Sequence, residues 1–349
     1  MENVLMTVPN KSADNQHSTA KLPKAELHVH LEGTVSPQLA KQLAARNTMP
    51  LPEGIFNAKG DYNWSTFPEF LNSYDAASSV IRTTEDYVDV TYEYLMSIAK
   101  EGAIYAELTL GPDIPAMFGM EYMTYVNAVA EGVDKARKDS GIEARLIICM
   151  IRHLGPQTAL ELMRTVEKNP HPYVVGVGLA GNELMHHPAD FAPAFAIADE
   201  KLGLGCTAHA GEVAGAQSVR DTIEALPVTR IGHGVRSIED ADLVKTLAAR
   251  NISLEICPNS NIALSVYPDF AAHPLRKLYD AGVVGSLNSD DPPFFWTNLA
   301  QEYMTAKNDF GFTDAELTGI TRKAIEVSFA DAHTKQKLFA ILNDCSASS

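Results

Sequence analysis

The chain has 349 residues, an ordinary globular composition (46% hydrophobic, 21% charged) and a formal net charge of −16 at pH 7. That length fits either two domains of about 150 residues or one enlarged α/β barrel of about 250 residues with insertions. With 28 Lys+Arg against 44 Asp+Glu and no basic run, neither nucleic acid nor an anionic membrane surface is expected as a partner.

Residues 1–20 are polar and lack the apolar centre of a signal peptide, so they are expected to form a disordered or extended lead-in, with 21–349 as one domain. Cys149, Cys206, Cys257 and Cys345 are far apart and form no CxxC pair, which argues against a disulfide framework and for a reducing cytoplasm. Apolar runs are too short to cross a membrane. Eight short β-like segments then recur, at 25–31, 103–110, 145–151, 173–180, 204–210, 229–234, 252–258 and 283–289. Several are almost continuously apolar, as parallel strands buried on both faces must be. Helix-like stretches such as Gln157–Lys168, Ala189–Leu202, Val219–Leu226 and Ile238–Arg250 lie between them. Alternating βα units counted to eight predict one (β/α)8 TIM barrel rather than two domains. The first connection, 32–102, is long enough for at least two extra helices, as a lid or an outer packing layer. Thr313–Leu342 reads as a C-terminal helical cap. Trp64, Phe67 and Phe70 are aromatic at helical spacing, which suits core packing and, less often, a purine pocket.

His28 and His30 stand two apart on the first strand, so both imidazoles share a face at the end where barrels place their chemistry. One such pair is a weak signal. The pattern recurs: the fifth segment ends in His209-Ala210-Gly211-Glu212, the sixth in His233 and the eighth in Asp290-Asp291-Pro292. A catalytic zinc takes three or four N/O ligands and keeps a position for water. His28, His30 and His209 supply nitrogens, and one aspartate of the Asp290-Asp291 pair completes the set while the other faces substrate. Glu212 suits a proton donor, and His233 either accepts a proton from the attacking water or stabilises the hydroxide. His153, His171, His186, His187, His273 and His333 are expected in packing or surface roles.

Leu22-Pro23-Lys24 before His28-Val29-His30-Leu31-Glu32-Gly33, His209–Glu212, Ile231-Gly232-His233-Gly234 and Ser289-Asp290-Asp291-Pro292 together resemble the adenosine/adenine deaminase family of amidohydrolases. Leu179-Ala180-Gly181-Asn182-Glu183 and Cys257-Pro258-Asn259-Ser260-Asn261 extend the likeness, which runs from Leu22 to Lys323 in the family's order. The resemblance implies a small aminopurine substrate, one Zn²⁺ per chain held by His28, His30, His209 and Asp290, and hydrolytic loss of ammonia from C6. By the same likeness Glu212 protonates the ring nitrogen beside C6, and His233 orients and helps deprotonate the water, with Asp290 also counted as catalytic. His30, Glu32, the Gly181 backbone N–H and Asp291 would touch the purine, Asp291 at its imidazole ring. Bridged two-metal amidohydrolases typically carry a lysine on a middle strand, and the fourth segment has none.

Two departures bear on the substrate. Glu32 stands where nucleoside deaminases usually carry the Asp that meets the ribose 5′-hydroxyl, and Glu is more typical of the adenine branch. Thr109 stands where Arg is frequent. Against these, Thr297-Asn298-Leu299, Glu302-Tyr303 and His273-Pro274 look like the nucleoside branch, closest to bacterial adenosine deaminases. The resulting expectation is adenosine and deoxyadenosine as substrates, with adenine as the alternative.

Overall fold

A computed structural model describes residues 22–347; the expected lead-in over 1–20 lies outside the described residues. Eight parallel strands follow one another in chain order around the sheet: β1 Lys24–His30, β2 Ala103–Leu110, β3 Glu143–Ile151, β4 Val174–Ala180, β5 Gly205–Ala210, β6 Arg230–His233, β7 Ser253–Ile256 and β8 Val284–Leu287. Each lies within a few residues of its predicted segment, because the apolar runs are buried on both faces. Leu108, Leu146, Ile148, Met150, Val177 and Leu179 are all fully buried. The fold is the expected (β/α)8 TIM barrel.

The seam between the last strand and the first is closed just beyond β8. Asp290 N–H donates to the His28 carbonyl at 3.3 Å, and His30 N–H donates to the Asp290 carbonyl at 3.1 Å. The Asn288 side chain joins the seam by accepting from the Leu27 N–H at 2.9 Å.

Three helices, Pro37–Arg46, Phe67–Ser79 and Thr84–Lys100, fill the long first connection, where the sequence predicts at least two. Their starts are written in the sequence. Ser36 caps the first, and Thr83 with Asp86 forms a capping box on the third. Trp64 and Phe70 enter an aromatic cluster with Tyr62, Phe294 and Phe295, while the Phe67 side chain lies outside those described. Trp64 Nε1 donates to the Phe294 carbonyl at 2.9 Å, and Tyr62 stacks on Phe294 with ring centres 4.0 Å apart. The connection is thereby packed onto the loop that follows Asp290 and Asp291. No described helix is long and apolar enough to cross a membrane.

At the opposite end, the C-terminal helices Asp314–Val327 and Ala332–Ala347 pack under the barrel. Phe329, between them, points at β4 and β5. A Cβ on Gly176 or Gly205 would come within 2.5 Å and 2.2 Å of its ring, so both strands need glycine there. Replacing Phe329 by Ala should therefore open a void beneath the barrel and cost about 3 kcal/mol of stability by urea unfolding. Unchanged stability would show that the ring is dispensable to the barrel floor.

Candidate active site

His28, His30, His209 and Asp290 come from the ends of β1, β5 and β8, and one donor atom from each lies within 4.8 Å of the others. Asp290 Oδ1 is 3.6 Å from His28 Nε2 and 3.5 Å from His30 Nε2. His30 Nε2 and His209 Nε2 approach to 3.3 Å. The backbone concentrates strain here, since both Asp290 (φ 63) and His233 (φ 58) occupy the left-handed region.

The second ring nitrogens show what this cluster suits. His209 Nδ1 faces the Leu179 carbonyl at 3.0 Å. A carbonyl only accepts, so Nδ1 carries the proton and Nε2 presents a lone pair inward. His28 Nδ1 faces Glu255 Oε2 at 2.8 Å, leaving His28 Nε2 buried with no hydrogen-bond partner. Burial, reinforced by the neighbouring His28, holds His209 well below the usual histidine range, which keeps it neutral. Converging lone pairs beside a carboxylate repel one another unless a cation sits among them. The residues thus fit a metal ion with an N₃O ligand set.

Deeper supports fix these side chains. Ser260 Oγ donates to Asp290 Oδ2 at 2.7 Å, leaving Oδ1 facing the histidines. Glu255 Oε1 lies 2.6 Å from Arg230 Nε, and Arg230 reaches Glu107 at 2.7 Å, all three side chains being fully buried or nearly so. Glu26, on the floor below, accepts from the Ser289 N–H at 2.8 Å and so anchors the turn carrying Asp290.

Around the cluster stand the other sequence-derived residues. His233 Nε2 is 3.7 Å from Glu212 Oε2 and 3.9 Å from Asp290 Oδ2. Burial, then the nearby Asp290 and Glu183, raise the Glu212 carboxyl to about 8, so near neutral pH it is mostly protonated. The loop bearing Glu212 is shaped by Glu183, whose carboxylate accepts from the backbone N–H of Gly211, of Val213 at 2.8 Å and of Ala214 at 2.9 Å. Asp291 Oδ1 is buried without a partner. It occupies the space that a side chain at Gly33 would take, 1.7 Å from the Cβ position, so only glycine seats it there. Burial, with Asp290 adding to it, pushes the Asp291 carboxyl well above the usual range. Gly181 (φ +89) follows β4, and a Cβ on it would lie 2.9 Å from His153 Nδ1. Glu32, 1% exposed, accepts from the Tyr125 hydroxyl at 2.5 Å, and Thr109 lies buried on β2.

Sequence reasoning gave no role to Glu183, Glu255, Ser260, Asn261 or Tyr125, and left His273 to packing. A charged residue inside the apolar run ISLEICP was a readable signal for Glu255. Tyr125 had none, because it lies on the helix Tyr122–Ser140 and reaches Glu32 only through tertiary packing. Outer-shell partners of metal-bound histidines typically contribute 10–100-fold in affinity. Glu255→Gln is accordingly expected to weaken metal binding at least about 10-fold in chelator competition; an unaltered affinity would remove Glu255 from that role.

The family model described as Adenosine deaminase matches residues 23–345. An adenine deaminase of Rhizobium meliloti (strain 1021) is 47% identical over 325 residues, covering 93% of this chain and 99% of that protein. One from Rhizobium rhizogenes (strain K84 / ATCC BAA-868) is 48% identical over 324 residues, covering 93% and 100%. The crystal structure of adenine deaminase from Arthrobacter aurescens superposes with a TM-score of 0.86 at 32% identity, covering 93% of this chain and 98% of that one. An amidohydrolase from Burkhoderia ambifaria with bound Zn gives 0.85 at 26% identity, covering 98% and 97%. The expectation of adenosine and deoxyadenosine is overturned by these relatives, whose names favour the free-base alternative. Barrel, strand-end cluster and sequence relationship together place this chain in the adenosine/adenine deaminase family, as a hydrolytic deaminase.

Proposed function

We propose that this protein hydrolyses adenine to hypoxanthine and ammonia. The observation that carries the reading is near-full-length identity of 47% to proteins named adenine deaminase. Glu32 supports it: the side chain is buried, and its carboxyl is tied down by Tyr125 rather than left open to a sugar. The features that pointed to nucleosides have other work in the fold. Thr297 Oγ1 donates to Glu302 at 2.6 Å, and Glu302 receives the Asn259 N–H at 3.3 Å. These contacts brace the loops after β7 and β8, and carry no information about what is attached to the purine.

A zinc ion would be held by His28, His30, His209 and Asp290. When bound, such an ion acts as a Lewis acid and lowers the pKa of a coordinated water to about 7. The chain's own groups supply the rest. Glu212, kept protonated by burial, gives its proton to the ring nitrogen beside the amino-bearing carbon. That carbon becomes electrophilic and water adds to it, giving up a proton to the carboxylate that Glu212 has become. Glu212 passes this proton to the amino group, which departs as ammonia, and takes back the hydroxyl proton as the carbonyl forms. His233, beside Glu212 and Asp290, holds the attacking water. Asp291, whose carboxyl is raised by burial and whose Oδ1 has no partner, is assigned to the acceptor nitrogen of the imidazole ring. The Gly181 N–H is assigned to the remaining pyrimidine nitrogen, and His30 borders the base.

The test is a substrate panel with metal-replete protein, following ultraviolet absorbance and ammonia for adenine, adenosine, deoxyadenosine and adenosine monophosphate. Adenine should give the highest kcat/KM, and faster turnover of adenosine would overturn the reading. Glu212→Gln should keep its metal and lose about 10²–10⁴ in kcat, as removal of a positioned proton donor does. Full activity in that variant would take Glu212 out of the mechanism.

A further inference from the structure

We propose that Asn261 and His273 are positioning residues that lock His233 in the tautomer with its proton on Nε2, so that His233 meets the attacking water as a hydrogen-bond donor. The inference rests on the proposed deamination for the identity of that water; the tautomer itself follows from the hydrogen-bond geometry.

The relay has one direction because it begins at a group that can only donate. The Leu275 backbone N–H lies 3.1 Å from His273 Nδ1, so that nitrogen offers its lone pair. Neutral His273 then carries its proton on Nε2, which faces Asn261 Oδ1 at 3.0 Å. This contact also sets the Asn261 amide. Turned over, it would point its NH₂ at an N–H. The amide nitrogen therefore faces His233 Nδ1, at 3.2 Å, and donates to it. With Nδ1 accepting, the proton of neutral His233 is on Nε2, the atom 3.7 Å from Glu212 Oε2 and 3.9 Å from Asp290 Oδ2.

Nothing along the relay is open to water. Asn261 is fully buried, His233 is 1% exposed and His273 is 5% exposed. The ring of His273 is flanked edge-on by Tyr267 and Phe310, with centroids 5.1 Å and 5.5 Å away. Burial pushes the His273 imidazole down to about 3, which keeps it neutral. Reversing the relay would place the Leu275 N–H against a second N–H in a buried site, leaving two donors without acceptors. Of the two roles that the sequence left open for His233, the relay supplies the second. The imidazole steadies negative charge on the attacking oxygen, and does not begin the reaction with a lone pair facing it.

The tautomer is read directly from long-range ¹H–¹⁵N correlation spectra of metal-loaded protein, with the His233 signals identified by their loss in His233→Gln. Wild type should show His233 neutral and protonated on Nε2 near neutral pH; protonation on Nδ1 would overturn the proposal without any variant. Asn261→Asp puts a carboxylate oxygen against His233 Nδ1, where it demands an N–H. That variant should switch His233 to the Nδ1-protonated form and lose about 100-fold or more in kcat, with KM and bound metal little changed. A switched tautomer with undiminished kcat would refute the donor role. A lost kcat with the tautomer unmoved would reduce Asn261 to a packing residue. Should Asn261→Asp not fold, His273→Gln removes the fixed start of the relay, and a mixture of His233 tautomers is then expected; a pure Nε2-protonated form would overturn the part given to His273. The spectra need no substrate, so they stand apart from failure of the substrate panel.

Discussion

The constraint on which this structure depends is closure of the barrel between β8 and β1. Two parallel strands at opposite ends of the sequence must find each other's backbone groups. The last of those bonds are made by Asp290 with His28 and His30. Three of the four residues of the candidate metal cluster, His28, His30 and Asp290, therefore lie at this seam, and His209 joins them from β5. The seam bonds bring the side chains of His28, His30 and Asp290 to one place. Asp290 makes both bonds with a left-handed φ of 63°, three residues beyond the end of β8. The Glu26 carboxylate, accepting from Ser289, holds the preceding residue in place. Ligand geometry of this kind is inherited from the scaffold rather than assembled by mobile loops, as a preorganised site requires.

Around that seam, three of the four histidines have their outward nitrogen held by a partner: a carbonyl for His209, a carboxylate for His28 and, for His233, an amide oriented by His273. Which nitrogen carries the proton is thereby decided before any ligand arrives. The cost falls on the barrel interior, where Glu255, Arg230 and Glu107 are buried as an ion-paired chain. Buried charges of this sort are a poor source of stability, since desolvation offsets their attraction. Here they hold the carboxylate that orients His28. The ring of Phe329, 3.6 Å from the Arg230 guanidinium, closes the chain from below.

The substrate expectation failed for an instructive reason. The Thr297, Glu302 and His273 motifs point to a nucleoside only through their likeness to the nucleoside branch of the family. In three dimensions they brace loops or orient His233, so they bear on the deaminase scaffold and not on the group carried by the purine. Glu32, a single methylene longer than the aspartate expected of a nucleoside enzyme, is the position that touches the question. Its hydrogen bond to Tyr125 was invisible in sequence, because 93 residues separate the partners.

Eight apolar segments at βα spacing determined the barrel from sequence alone, and the recurrence of histidines and carboxylates at the ends of several strands marked a candidate site. Those features are local: periodicity, chain order, and the rule that successive residues of a strand face opposite ways. Sequence could not say which of the two adjacent aspartates turns toward the histidines. That depends on a backbone torsion set by barrel closure. Nor could it find Glu255 beneath His28, Glu183 beneath the Glu212 loop, or the path from Leu275 through His273 and Asn261 to His233. Proton positions depend on which donor faces which acceptor, and only the packed tertiary structure brings those atoms together.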